Sequence, residues 1–122
     1  MTPEGKVKDQ VKKLLDAYDI QPASKAGTFE NAAGWYYMPV QAGYGVRVVD
    51  FIGHYRGIFW ACEAKVRGKN PTGFQKLQID AISCSGGSVF IVDGPETLKN
   101  FEEWLEEIDE GANFQEFLDS EV

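Results

Sequence analysis

One short segment constrains the fold more than any other part of the chain. The apolar run Ile58-Phe59-Trp60-Ala61-Cys62 continues without a break into Glu63-Ala64-Lys65. Its aromatic and β-branched residues predict a strand over residues 58–66. The charged residues therefore fall where a central strand should still be buried. Ionisable groups are costly in such a place unless they pair with each other or bind a metal ion.

The order of the remaining predicted elements indicates one α/β domain. Helices are expected from Thr2-Pro3, after Thr72 and from Pro95, because capping or first-turn residues precede apolar residues at helical spacing there. Further strands are predicted at residues 35–40, 46–52 and 88–92, with a loop over 21–34, a hairpin connection over 53–57 and a short last helix over 113–118. We therefore expect a mixed central sheet flanked by helices: an α-β-β-β-α-β core over residues 1–95 and an acidic helical extension, 96–122, packed on it.

Composition excludes several classes of protein. At 122 residues and 43% hydrophobic content, the chain has the size of one soluble domain with a sizeable core. We expect no membrane span, because no apolar run approaches ~20 residues. We expect no secretory signal either, because the N-terminus (residues 1–6) has no apolar h-region. Cys62 and Cys84 are too few for a disulfide scaffold, which favours a reducing compartment. The single histidine, His54, excludes zinc fingers and most histidine-dependent catalysis.

The net charge of −7 is unevenly distributed. Residues 1–95 hold 11 basic and 9 acidic residues, whereas residues 96–122 hold 1 basic and 10 acidic residues. The body of the protein is thus slightly basic. The overall acidity does not argue against a nucleic-acid partner, because affinity for phosphate depends on the local surface.

Two carboxylates and an amine are expected to meet at one end of the sheet. If the second and third predicted strands form a hairpin, Asp50 comes beside Glu63, and Lys65 projects from the same face as Glu63. Mg²⁺ is held by a few such carboxylates, and the Ala64 carbonyl can serve as a further ligand. Lys65 can orient an attacking water or stabilise the charge that develops on phosphorus. A purely structural ion pair between Lys65 and Asp50 is the alternative.

Other polar residues have both a structural and a functional interpretation. Gln75 completes the pattern Thr72-Gly73-Phe74-Gln75 of a capping box, yet it can also contact a phosphate or the attacking water. Tyr44 lies between two glycines, which indicates a turn, but it can contact substrate. Several basic residues are either solvated or bind DNA phosphates: Lys8, Lys12, Arg67 and Lys69.

An ordered series of motifs resembles the PD-(D/E)XK nuclease superfamily, and more closely its VRR-NUC group in the short stand-alone form carried by bacteriophages. The series covers most of residues 1–94. Its matching segments are Thr2-Pro3-Glu4-Gly5-Lys6-Val7-Lys8, Met38-Pro39-Val40-Gln41, Gly43-Tyr44-Gly45, Asp50, residues 53–57, Glu63-Ala64-Lys65, Thr72-Gly73-Phe74-Gln75 and Val89-Phe90-Ile91-Val92-Asp93-Gly94.

The resemblance implies a restriction-endonuclease-like fold and a DNA endonuclease that depends on Mg²⁺ or Mn²⁺, with no organic cofactor. It makes Asp50 and Glu63 metal ligands, Lys65 the catalytic lysine and Gln75 an accessory catalytic residue, and it adds Glu4 to the metal site. It also implies a homodimer that favours branched DNA such as four-way junctions, located in the cytoplasm, that of the host if a phage encodes it.

Three departures from the family pattern accompany this resemblance. Residues 22–33 look like an insertion, residue 49 is valine where the superfamily name has proline, and the acidic segment after Pro95 lies outside the family core. Two other functions therefore stay open. The chain can be a DNA-binding or regulatory protein that keeps the fold but not the reaction, or an interaction module whose acidic C-terminus contacts a basic partner.

Overall fold

A five-stranded mixed sheet flanked by helices forms the centre of the molecule. The structure is a computed structural model, and it describes residues 1–40 and 48–120. The elements follow in the order α1 (Pro3–Ala17), β1 (Ile20–Pro22), a 3₁₀ turn (Ala23–Lys25), β2 (Gly34–Tyr37), β3 (Phe51–Tyr55), β4 (Ile58–Ala64), α2 (Gly73–Cys84), β5 (Ser88–Val92) and α3 (Pro95–Ser120). The predicted α/β fold class, with its core order and its C-terminal helix, is confirmed.

The strands lie in the sheet in the order in which they occur in the chain. β2, β3 and β4 are antiparallel neighbours, whereas β1 pairs parallel with β2 and β5 pairs parallel with β4. Parallel neighbours need a crossover connection, which α2 provides between β4 and β5. The C-terminal end of β4 therefore lies beside the C-terminal end of β5 and the N-terminal end of β3.

The hydrophobic core lies between one face of the sheet and the helices α1 and α3. Trp60 of β4 and Phe101 of α3 are fully buried with their ring centroids 5.1 Å apart. Phe90 of β5 stacks on Phe101 at 4.6 Å. Such aromatic pairs add about 0.5–1.5 kcal/mol each to the burial of their area. The acidic extension is thus docked on the body through Phe101 and Leu105, both completely buried.

Capping residues that the sequence predicts are present at the starts of α1 and α2. The Thr2 hydroxyl accepts a hydrogen bond from the Gly5 N–H at 3.0 Å, and Pro3 occupies the first turn of α1. The capping box predicted at Thr72 and Gln75 is present at the start of α2. α1 then buries Val11 and Leu15, as the helical spacing predicts.

The predicted hairpin of β3 and β4 is wrong in its boundaries. In the described part of the second predicted strand, 46–52, Phe51 and Ile52 lie in a strand, which continues as β3 to Tyr55. The turn is the pair Arg56-Gly57, whose φ angles are 49° and 81°. Two successive positive φ angles are typical of the tight turn that joins antiparallel strands. Gly53 lies within β3 rather than in the turn. Glycine is required there because a Cβ would overlap the backbone of Trp35 and Tyr36 on β2. His54 nevertheless serves the turn, since its Nδ1 accepts the Gly57 N–H at 3.3 Å.

Other predicted boundaries also change. The first predicted strand, 35–40, is shortened to Gly34–Tyr37, and the strand 58–66 ends at Ala64. The predicted loop 21–34 contains most of β1 and the 3₁₀ turn, so the expected insertion 22–33 is partly ordered against the sheet. The two predicted C-terminal helices are one continuous helix, α3. The turn expected at Gly43-Tyr44-Gly45 lies outside the described residues. In the described ranges, no helix is long and apolar enough to cross a bilayer.

We expect Gly53→Ala to lower the free energy of unfolding by roughly 2 kcal/mol or more, because overpacking against a neighbouring strand forces the backbone apart. Urea denaturation monitored by circular dichroism measures the change. Gly111→Ala is the matched control: Gly111 lies in α3 with open space at its Cβ position, and alanine there favours the helix by up to about 1 kcal/mol. Equal stability of the two variants would contradict the close approach of β2 and β3.

Candidate metal centre

Three carboxylates from separate parts of the chain meet at one end of the sheet. Glu4 comes from the first turn of α1, Asp50 directly precedes β3, and Glu63 is the penultimate residue of β4. Each offers an oxygen atom, and the three oxygens lie within 4.8 Å of one another. The pairing of Phe51 with Cys62 explains why Asp50 and Glu63 meet, because in antiparallel strands the residue before Phe51 lies beside the residue after Cys62. The predicted convergence of these two residues is confirmed.

Asp50 is held by two contacts. Its Oδ2 accepts a hydrogen bond from the Ala64 N–H at 2.9 Å, and its Oδ1 lies 3.6 Å from Nζ of Lys8. The ion pair considered for Lys65 and Asp50 is therefore made by Lys8 instead. The backbone of β4 and the first helix together fix the orientation of the carboxylate, which is only 11% exposed.

Glu63 is the carboxylate of the cluster whose buried oxygens lack hydrogen-bond partners among residues 1–40 and 48–120. Its side chain is completely buried, and neither carboxylate oxygen has a hydrogen-bond partner in the described part of the chain. The pKa of Glu63 is raised to about 9, first by burial and then by Asp50, because a protonated Glu63 can share its proton with that carboxylate. This net value also includes the nearby charge of Lys65, which lowers the pKa, and the negative charge of Glu4, which raises it. A buried carboxyl in this state requires a proton or a cation.

The donor set fits a hard divalent cation. All three side chains offer oxygen atoms, which Mg²⁺ and Mn²⁺ prefer over nitrogen or sulfur. The unpartnered oxygens of Glu63 are the observation that a bound cation would explain directly. Glu4, the third carboxylate implied by the family resemblance, does lie within ligand distance of the other two.

Lys65 follows β4 and stays close to the cluster. Its N–H donates to the Val92 carbonyl at 2.8 Å, so the backbone continues to pair with the end of β5 past Ala64. The side chain is half-buried. Across the described ranges, its ammonium group makes no ion pair within 4.0 Å. The charge is therefore near Glu63 without being neutralised by a direct partner.

The structure places the remaining predicted residues in different surroundings. Gln75 uses its side-chain carbonyl to accept the Thr72 N–H at 2.9 Å, as the capping-box interpretation predicts. Arg67 is exposed, and its Nη2 lies 2.5 Å from Oε2 of Glu96 in the first turn of α3. Lys69 is exposed in the turn after β4, Lys12 lines a cavity beside β2, and Tyr44 lies outside the described residues.

The contact between Lys8 and Asp50 is the feature that the sequence analysis missed. A signal for it was present, because residues four apart on a helix lie on the same face. Once Glu4 is placed at the metal centre, Lys8 must lie one turn further along the same face of α1. The sequence analysis assigned Lys8 to DNA phosphates alone.

No protein-family model, curated protein or solved structure matches this chain. The geometry and charge of the carboxylate cluster are therefore the evidence that bears on function.

The stability of the metal-free protein should fall as the pH rises from about 5 to about 9. The folded state keeps a proton on Glu63 up to a pKa of about 9, whereas the unfolded chain releases it near the ordinary value of 4.5. The folded state therefore binds more protons in this window, and raising the pH favours unfolding. Urea denaturation in the presence of a chelator, at pH 5, 7 and 9, measures the slope. Glu63→Gln should flatten it, whereas Glu103→Gln, on the exposed side of α3, should not. Parallel slopes for wild type and Glu63→Gln would contradict the raised pKa.

Mn²⁺ or Mg²⁺ should raise the midpoint of thermal unfolding by several degrees, because an ion that binds only the folded state stabilises it by about 2.7 kcal/mol at a hundredfold excess over Kd. Asp50→Asn and Glu63→Gln should abolish the shift, and Glu103→Gln should retain it. Differential scanning fluorimetry with a chelator-reversal step measures all four proteins. A shift of the same size in Glu63→Gln would show that the ion binds elsewhere.

Proposed function

We propose that the protein is a Mg²⁺- or Mn²⁺-dependent endonuclease that hydrolyses DNA phosphodiester bonds. The observation that carries this proposal is Glu63, a buried carboxylate with two unpartnered oxygens in a cluster of three carboxylates. The ammonium group of Lys65, two residues further along the chain, supplies the positive charge that phosphoryl chemistry needs. The motif resemblance agrees with this chemistry. It also adds the expectations of a homodimer, a preference for branched DNA and a cytoplasmic location.

Each residue of the cluster has a part in the proposed reaction. Asp50 and Glu63, with Glu4 and the Ala64 carbonyl, would hold the ion. When bound, a divalent ion makes water easier to deprotonate and offsets the charge that develops on the phosphoryl oxygens. Lys65 orients the attacking water or donates a hydrogen bond to the phosphate as its negative charge grows. Gln75 keeps its amide group available while its carbonyl caps α2.

The basic residues near the cluster supply contacts for the DNA backbone. Lys8 and Lys12 follow Glu4 at intervals of four along one face of α1, and Lys69 is exposed on the chain segment after Lys65. Such contacts supply much of the affinity of a protein for DNA and weaken with added salt. Arg67 is engaged by Glu96, so DNA must compete with that carboxylate for the guanidinium group.

A catalytically inactive DNA-binding or regulatory protein is the second candidate. One observation favours it: with a pKa of about 9, Glu63 can stay protonated at neutral pH and is then stable without a metal ion. Metal affinity separates the two candidates, because only the nuclease requires the cation.

Wild-type protein should nick supercoiled plasmid and cut a labelled four-way junction when Mg²⁺ or Mn²⁺ is added. Lys65→Met, which keeps the length of the side chain, should lower the rate by about 10²–10³-fold, as expected for the loss of a group that stabilises transition-state charge. Glu63→Gln should be equally impaired. Lys99→Ala, on exposed α3, is the control and should cleave at the wild-type rate. Equal rates in all four proteins would exclude this site as the origin of cleavage.

A further inference from the structure

Two aromatic side chains lie exposed on one strand, where nothing in the core requires them. Trp35 and Tyr37 of β2 are 36% and 40% exposed. Their ring planes differ by only 10°, with the centroids 6.4 Å apart. Because side chains alternate along a strand, both project from the face of the sheet opposite Tyr36, which is buried in the core. Trp35 and Tyr37, the aromatic pair, therefore present two nearly parallel rings to solvent.

The aromatic pair leads towards the carboxylate cluster. Tyr37 is paired with Ile52, and Asp50 lies two residues before Ile52. Tyr37 thus ends β2 at the same end of the sheet at which Asp50 precedes β3. Cys62 points into the core, so alternation along β4 places Glu63 on the same face as Tyr37.

A cavity of about 530 Å³ lies between Tyr37 of the aromatic pair and Lys12 of α1. Its other lining residues are Pro22, Ala23, Ser24, Tyr36 and Met38. Its volume lies within the range of small-ligand sites. Lys12 is one turn beyond Lys8, which contacts Asp50. An ammonium group, an aromatic ring and an open volume thus occur together at the end of β2.

We propose that Trp35 and Tyr37 stack on unpaired bases of DNA while Lys12 contacts the adjoining phosphate. The substrate of the metal centre would then carry a single-stranded segment next to the cleaved bond. This inference rests on the proposed nuclease function and narrows its substrate class. Aromatic side chains bind single strands in this way, because every unpaired base offers an accessible π-face. In a continuous duplex those faces are covered by neighbouring base pairs.

The test compares binding of single-stranded and duplex DNA without cleavage. Fluorescence anisotropy with a labelled 12-nucleotide strand and the matching blunt duplex is measured in EDTA. The double variant Trp35→Leu/Tyr37→Leu should lose tenfold or more in affinity for the single strand and less than twofold for the duplex. Trp35→Phe, which retains a ring, should stay within about threefold of wild type on both.

Phe59→Leu is the matched control. Phe59 is 43% exposed. It pairs with His54 of β3, and His54 pairs with Trp35, so Phe59 lies on the same face of the sheet as Trp35. Phe59 is four residues before Glu63 on β4 and therefore lies away from the carboxylates. We expect its affinity for both DNAs to stay within twofold of wild type. Tryptophan emission should be quenched by the single strand in wild type and in Phe59→Leu but not in the double variant, since a stacked base lies against the Trp35 indole.

Sedimentation velocity on the same proteins tests the alternative that a second copy of the chain covers the aromatic pair. A dimer that the double variant converts to monomer, with equal loss on both DNAs, would overturn the proposal. So would unchanged single-strand affinity in the double variant. Because these assays need no metal, an absence of cleavage with retained Trp35-dependent binding would refute the nuclease activity and leave the stacking surface standing.

Discussion

The candidate metal centre depends on one register, in which Phe51 of β3 lies opposite Cys62 of β4. This pairing puts Asp50 beside Glu63 and allows Asp50 to accept the Ala64 N–H. A slip of β3 by one residue would turn Asp50 to the other face of the sheet and away from Glu63, because side chains alternate along a strand. It would also remove Phe51, which is fully buried, from the core. Apolar packing on one face therefore positions the charged groups on the other. The register of β3 and β4 thus determines both the core packing and the geometry of the site.

The sequence was sufficient to predict the order of the elements other than β1 and the meeting of Asp50 with Glu63, since both follow from strongly apolar strands joined in a hairpin. It could not place the turn. A glycine required by close approach of a neighbouring strand, as at Gly53, has the same appearance in a sequence as a turn glycine. β1 was missed because three residues, Ile20–Pro22, are too few to show a period and are ordered mainly by pairing with β2. The contact of Lys8 with Asp50 depends on how α1 lies across the end of the sheet, which is a tertiary property.

The acidic extension is a structural part of the domain that also affects its charge. Phe101 and Leu105 attach α3 to the sheet, and burying such side chains contributes about 1.5–3 kcal/mol each. The ion pairs Arg56–Asp109 and Arg67–Glu96 are exposed and add at most about 1 kcal/mol each. Their larger effect is to neutralise two arginines of the slightly basic body. Within residues 1–40 and 48–120, the positive charge that remains near the cluster is then carried by lysines, chiefly those of α1.

Lys8 links the carboxylate cluster to these lysines. Among the described residues it is the one cation within 4.0 Å of a cluster carboxylate, and it reaches Asp50 but not Glu63. Burial and, after it, the neighbouring carboxylates favour a proton on Glu63 well above its ordinary pKa, and one ammonium group beside Asp50 does not offset them. Under the proposed function, a divalent ion would satisfy Asp50 and Glu63 together and compete with Lys8 for Asp50. The ammonium group released in this way lies one helical turn from Lys12, where a DNA phosphate can bind it. Ion binding and phosphate binding would then reinforce each other, because Asp50 is the partner that the ion and Lys8 share.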